Sequence, residues 1–351
     1  MDNSAEDLLI ARPRLHVFDH FPSTLLDVPA GDLWRVLEGP TLFRIEGRQS
    51  QPLFLSVLLH GNEDTGWQAV QSVMREAAAR GLPRTLLLFV GNIDAARANV
   101  RTLPTQNDYN RTWPGTLLEQ TDEAAVMREV VEMVRASNPF ASIDIHNNTG
   151  DNPFYSCISQ HDTATLQLAA LFAPITLMYG AVKGVQSIAM ARHCPAMTIE
   201  CGKPGVSDDV GRVVHFLKQL LELPDWTGSQ PGRPLDIYRT VVRVNVPDQV
   251  SLSFSNPTAD LLFPPGLERM NFRPQPAGTV FAHLRPGSKA NLLAFDDAGN
   301  ELGNRYFLHT PDKLVLSQAM IPAMLTHDET VIRQDCLCYL LERIPVSATA
   351  G

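Results

Sequence analysis

From residue 52 onward the hydrophobic and polar positions fall into two alternating patterns. Residues 53–59 (LFLSVLL) are a short apolar run that ends at His60-Gly61, the signature of a strand buried on both faces. Residues 64–80 carry Trp67, Val70, Val73, Met74 and Ala77 at helical spacing and stop at Gly81 and Pro83. A second buried strand is predicted over 85–90 (TLLLFV), an amphipathic helix over 122–136 with Thr121 as its N-cap, and a strand over 142–146 (SIDIH). Short strands follow at 154–158, 175–179 and 196–200, with a helix at 163–172 and a last long helix at 206–223, closed by Pro224. Strands that alternate with helices predict an α/β fold: a mixed, mostly parallel sheet with helices on both faces.

The flanks differ. The first 50 residues mix short apolar runs with Pro and Gly, and are expected to form an extension packed on a catalytic domain over 51–230. Residues 224–234 (PDWTGSQPGRP) read as a linker. Beyond it, 237–246 (IYRTVVRVNV) alternates like a strand, and turn signals such as Arg285-Pro286-Gly287 recur. This predicts a smaller β-rich C-terminal domain over 231–351. A chain of 351 residues fits two domains at roughly 150 residues each.

Composition narrows the partners. The formal net charge is −9 and there is no long Lys/Arg run, which argues against nucleic acid and anionic membrane surfaces. With 44% hydrophobic and 19% charged residues the chain is globular in composition rather than disordered. No stretch of about 18 apolar residues is present, and the acidic N-terminus lacks the basic start of a signal peptide. The five cysteines are an odd number, and Cys336-x-Cys338 has no second pair to complete a metal clip, so both are read as core residues. The expectation is a reduced, cytoplasmic protein.

Candidate chemistry lies at the predicted strand ends, where open α/β sheets carry their ligands. His60-Gly61-Asn62-Glu63 places a His and a Glu three residues apart at the first such end. His146 closes the strand at 142–146, and two His with one Glu would leave an open position on a catalytic zinc ion. Asn110-Arg111, in a loop bounded by Trp113-Pro114-Gly115, suits capture of a substrate carboxylate, because a guanidinium grips both oxygens. Glu200 ends the strand at 196–200 and could serve as a general base.

Taken together, these elements resemble the succinylglutamate desuccinylase/aspartoacylase branch of the zinc carboxypeptidase (M14-like) superfamily. The motifs are His60-Gly-Asn-Glu63, Gly91-Asn92-Ile93-Asp94-Ala95, Asp108-Tyr-Asn110-Arg111, Asp144-Ile-His146-Asn-Asn-Thr149 and Ile199-Glu200-Cys-Gly202, and the resemblance covers about residues 50–350. It implies a zinc carboxypeptidase-like fold with one Zn²⁺ per chain on His60, Glu63 and His146. It implies that Asp108 orients the first zinc His, and Asp144 could act similarly on His146. Asn110 and Arg111 would hold a substrate carboxylate, and Glu200 would take a proton from the attacking water and pass one to the leaving amine. An upstream Arg would polarise the scissile carbonyl; Arg101 matches best and Arg97 is the second candidate.

The implied activity is removal of an acyl group from an N-acyl amino acid or similar small amide. The other readings are a metallocarboxypeptidase acting on peptide C-termini and a non-catalytic zinc-containing binding protein. The chain departs from the branch at Ile93 and Tyr109, where Pro and Leu are usual, and its first 50 residues have no counterpart there. No second carboxylate-binding Arg is assigned; Arg192 and Lys203 are candidates by position only. The acyl group therefore stays open, as does assembly into a homo-oligomer.

Overall fold

The computed structural model describes residues 13–180, 182–226 and 233–344. The predicted linker falls partly on residues 227–232, outside the described residues. Strand β1 (His16–Phe18) and β2 (Thr41–Ile45) precede β3 (Gly47–Val57), α1 (Thr65–Arg80) and β4 (Leu82–Val90). Then come α2 (Ile93–Ala98), α3 (Asp122–Ala136), β5 (Ala141–His146), β6 (Tyr155–Ile158), α4 (Thr163–Phe172) and β7 (Ile175–Met178). Helix α5 (Gln186–Met190), β8 (Ala196–Glu200) and α6 (Ser207–Glu222) complete the α/β part.

Strands β4, β3, β5 and β8 lie side by side and parallel. Their apolar runs are continuous because both faces are covered. Leu53, Leu55 and Val57 join one core with Trp67, Val70, Ile143, Ile145, Phe216 and Leu217, beneath α1 and α6. Phe54, Leu87 and Phe89 face the other way, onto Trp113 and the Val126, Val130 and Val134 stripe of α3. Alternation by two along the strand thus feeds two cores at once. Helix α1 ends where the sequence said it would: Gly81 sits at φ 70°, a conformation that costs glycine little. Thr121 caps α3 by accepting from the Ala124 amide.

The residues before β3 are built into the same sheet. Strand β2 runs antiparallel to β4, and β1 parallel to β2. The Trp67 indole donates to the Val28 carbonyl at 2.8 Å and the Gln71 amide to the Leu25 carbonyl at 2.9 Å, so the segment is tied to α1.

The sheet also continues past residue 230. Strand β9 (Asp236–Asn245) pairs parallel with β7. After β10 (Leu252–Ser253), β11 (Leu261–Leu262), β12 (Val280–Leu284), β13 (Leu293–Phe295), α7 (Gly303–Tyr306), β14 (Phe307–His309) and β15 (Lys313–Leu316), the chain returns to it through β16 (Ile321–Ala323), α8 (Glu329–Gln334) and β17 (Cys338–Ile344). The order is β1-β2-β4-β3-β5-β8-β6-β7-β9-β17-β16, with β13 also on β9. Strands β10, β11, β12, β15 and β14 form a separate five-stranded sheet over its own core, centred on Phe263, Phe281 and Phe307. The molecule is therefore a mixed, mostly parallel sheet with helices, followed by a β-rich C-terminal region.

Candidate active site

Register brings the polar residues together. His146 and Glu200 are direct neighbours at the C-terminal ends of β5 and β8, and Ser56 neighbours Asp144 across β3 and β5. Ser142, Asp144 and His146 share one face of β5, while Ala141, Ile143 and Ile145 fill the core on the other. Strand β3 ends at Val57, and Leu58 turns the chain at φ 56°, unusual for a non-glycine residue, just before His60.

His60, Glu63 and His146 converge, with one donor atom from each lying within 4.8 Å of the others. Nδ1 of His60 is 2.8 Å from Oε1 of Glu63, Nδ1 of His146 is 2.7 Å from Oε2, and the two Nδ1 atoms are 3.2 Å apart. The other ring nitrogens face carboxylates. His60 Nε2 lies 3.1 Å from Asp108 and His146 Nε2 lies 2.8 Å from Asp144, which in turn accepts from Ser56 at 2.6 Å. Each ring thus lies between two carboxylates, His60 between Glu63 and Asp108 and His146 between Glu63 and Asp144. With the protons on Nε2, toward Asp108 and Asp144, the two Nδ1 lone pairs and the Glu63 carboxylate would point at one spot. A cation resolves that conflict, and the set of two imidazoles and one carboxylate suits Zn²⁺.

Electrostatics agree with this geometry. Burial opposes the charge on Glu63, but His60 and His146 outweigh it and hold the carboxyl well below its usual range. Burial would lower the His146 pKa, yet Asp144 and Glu63 raise it well above the ordinary histidine value. Without a metal, a proton on His146 plays the cation's part.

The remaining predicted residues surround this group. Glu200 lines the same cleft, and burial pushes its carboxyl up to about 8. Its Oε2 accepts from Asn148 at 2.9 Å. Arg101 also lines the cleft and donates to Asp108 at 3.0 Å, whereas Arg97 stacks on Trp34 at 3.9 Å and does not line it. Asn110 places Nδ2 3.2 Å from His146 Nε2, and Asp108 accepts from the Asn110 backbone at 2.7 Å, which sets the turn that presents Arg111. Lys203 pairs with Glu268 at 3.1 Å and Arg192 is exposed; neither lines the cleft.

Some lining residues had no role in the sequence reading. The Asn147 amide donates to Glu63 at 3.1 Å, and its side chain donates to Thr65 and Gly202, fixing the loop after His146. Asp335, Cys336 and Tyr339 reach the cleft from the C-terminal region, with Asp335 Oδ1 3.8 Å from the Arg111 guanidinium. No local motif marks these three; only the sheet's return through β17 brings them here. The cleft leaves a cavity of about 110 Å³ beside these residues.

Fold and site together define an α/β protein whose strand ends gather a metal-competent donor set, two arginines and a raised carboxylate. Residues 49–222 match the sequence model of the succinylglutamate desuccinylase/aspartoacylase catalytic domain, and the chain belongs to that family. Among solved structures, succinylglutamate desuccinylase from Chromobacterium violaceum is 18% identical with a TM-score of 0.56, covering 86% of this chain and 87% of its own. Murine aminoacylase 3 is 15% identical with a TM-score of 0.57, over 85% and 96%. A succinylglutamate desuccinylase/aspartoacylase from Rhodobacter sphaeroides is 14% identical with a TM-score of 0.56, over 87% and 88%. At these identities the likeness is one of fold. No curated protein sequence matches the chain.

Proposed function

We propose that the protein is a zinc-dependent amidohydrolase that removes an acyl group from an N-acyl amino acid or a similar small amide. The observation that carries this reading is the buried donor set of His60, Glu63 and His146, with one donor atom from each within 4.8 Å of the others. When bound there, Zn²⁺ supplies an acidified water and a Lewis acid for the carbonyl.

The chain's own residues do the rest. Glu200, which lines the cleft beside the donor set, would accept a proton from the attacking water on its carboxylate and return it to the departing nitrogen. Arg101, which donates to Asp108, would share the charge that develops on the carbonyl oxygen. Arg111 and Asn110 would hold the substrate carboxylate and so position the amide. All five cysteines are buried and unpaired, which suits the cytoplasmic setting in this reading.

The test joins metal analysis to turnover. Purified protein is expected to hold one zinc per chain and to release amino acids from an N-acyl amino acid panel. Glu200→Gln is expected to keep the zinc and lose about 10²–10⁴-fold in kcat. Hydrolysis of long peptides but of no N-acyl amino acid would replace the reading with a carboxypeptidase. A zinc-loaded protein inert on both would replace it with a binding protein.

A further inference from the structure

A second cavity, of about 530 Å³, lies between α4 and α6 and shares no lining residue with the cleft. Its floor is aromatic. The rings of Phe154 and Phe172 lie 5.6 Å apart, and Phe216 meets Phe172 edge-on at 5.2 Å. Its rim is basic. Arg212 and His215 stand on one face of α6, three residues apart, and Arg233 joins them from the chain ahead of β9.

Two features of this groove are not explained by the fold. The first is Gly211, the fifth residue of the 16-residue helix α6, where glycine is a poor helix former. Close packing does not require it, because a Cβ built there meets no other atom within 4 Å. What the missing side chain does is leave the groove open. Choices that break a local rule without a packing reason concentrate at functional sites.

The second feature is Arg212. Its guanidinium lies 3.6 Å over the Phe154 ring, which holds the plane in place. It donates no hydrogen bond among the described residues. Arginines elsewhere on this surface close on acids, as Arg35 does on Asp32 and Arg285 on Asp260. Here Asp208 lines the groove and Asp209 feels the Arg212 charge, yet neither closes an ion pair with Arg212 or Arg233. A stacked, pre-oriented guanidinium of this kind suits bidentate capture of a carboxylate or phosphate.

Rim and floor together define the ligand. An ion without a hydrocarbon body would leave the aromatic floor uncovered, and a neutral body would leave both arginines unused. We propose that the groove is a binding site, separate from the metal centre, for a small organic anion with a flat apolar body. The proposal does not rest on the deacylase reading, since the two cavities have no residue in common.

The experiment is titration calorimetry on the full-length protein with three probes: naphthoate, its neutral counterpart naphthylmethanol, and inorganic phosphate. Naphthoate is expected to saturate a single site in the groove, and each of the other two to bind about tenfold more weakly or less. Arg212→Gln is expected to weaken naphthoate by about tenfold or more. Gly211→Leu fills the groove without altering either arginine and favours the helix, so it is expected to abolish that binding with no loss of Tm. Absence of saturable naphthoate binding overturns the proposal. So does naphthoate binding that both variants leave unchanged, because it would then belong to another site, the cleft included. Naphthylmethanol or phosphate binding as tightly as naphthoate also overturns it, because charge or ring would then play no part.

Discussion

At the residue scale, the centre is a set of charges that balance only in company. Asp108 and Asp144 face the Nε2 atoms of His60 and His146, so in the zinc reading they would hold the imidazole protons there and leave both Nδ1 atoms to the metal. Removing such an orienting carboxylate typically weakens metal binding by about 10–100-fold. Asp144→Ala is therefore expected to raise the zinc dissociation constant by that factor, read by competition with a chromogenic chelator. The pKa directions give a second prediction. His146 is raised above its ordinary value, so its charged form stabilises the metal-free fold fully below about pH 6.5 and is lost as pH rises through the raised pKa. Glu200, raised from 4.5 to about 8, is neutral in the fold and ionised in the unfolded chain between those values, so it too withdraws stability as pH rises. Both groups act in one direction between about pH 6.5 and 8. The Tm gap between zinc-loaded and metal-free protein should widen over that range, measured by scanning calorimetry. A gap that narrows would contradict the assigned protonation states.

At the scale of elements, the turn between β3 and α1 is the most constrained piece. A Cβ at Gly61 would lie 2.1 Å from backbone atoms of Ala95 and Ala96 in α2. The Gly61 amide also donates to the Arg101 carbonyl, so turn, helix and arginine loop are locked together. Gly61→Ala should push α2 away, destabilise the fold by about 1–3 kcal/mol and lower zinc content, checked by denaturant titration and metal analysis. Much of this level was legible in the sequence. The strands at 53–59, 85–90, 142–146 and 196–200 and the helices at 64–80, 122–136 and 163–172 all have structural counterparts, because each carries a strong period or a cap. Where boundaries moved, the causes are local. Strand β3 begins at Gly47, because Gly47 and Gln49 pair with Leu82 and Arg84 of β4 before the register shifts ahead of Leu53. It stops at Val57 because Leu58 leaves the extended region. Strand β2 and helices α2 and α5 are five or six residues long, too short for periodicity to stand out.

At the scale of the whole molecule, His60, Glu63, His146 and Glu200 were legible because each sits at the end of a strong strand. Asp335 was not, since no spacing along the chain links it to Arg111, more than two hundred residues earlier. The sheet supplies the link by running through residues on both sides of 230. A chain ending at residue 226 would strip β9 from β7, leave a bare strand edge and remove Asp335 and Tyr339 from the cleft. Such a chain should aggregate on expression, as followed by sedimentation; a soluble monomer with zinc-dependent stabilisation would show that the first part stands alone. The continuity of that sheet has a consequence for the pocket. Strands β5 and β8 carry His146 and Glu200 to it, while β9 and β17 of the same sheet carry Thr240 and Tyr339. Opposite walls of one cavity are thus sewn to a single fabric, and a slip of register between β7 and β9 would shift one wall against the other.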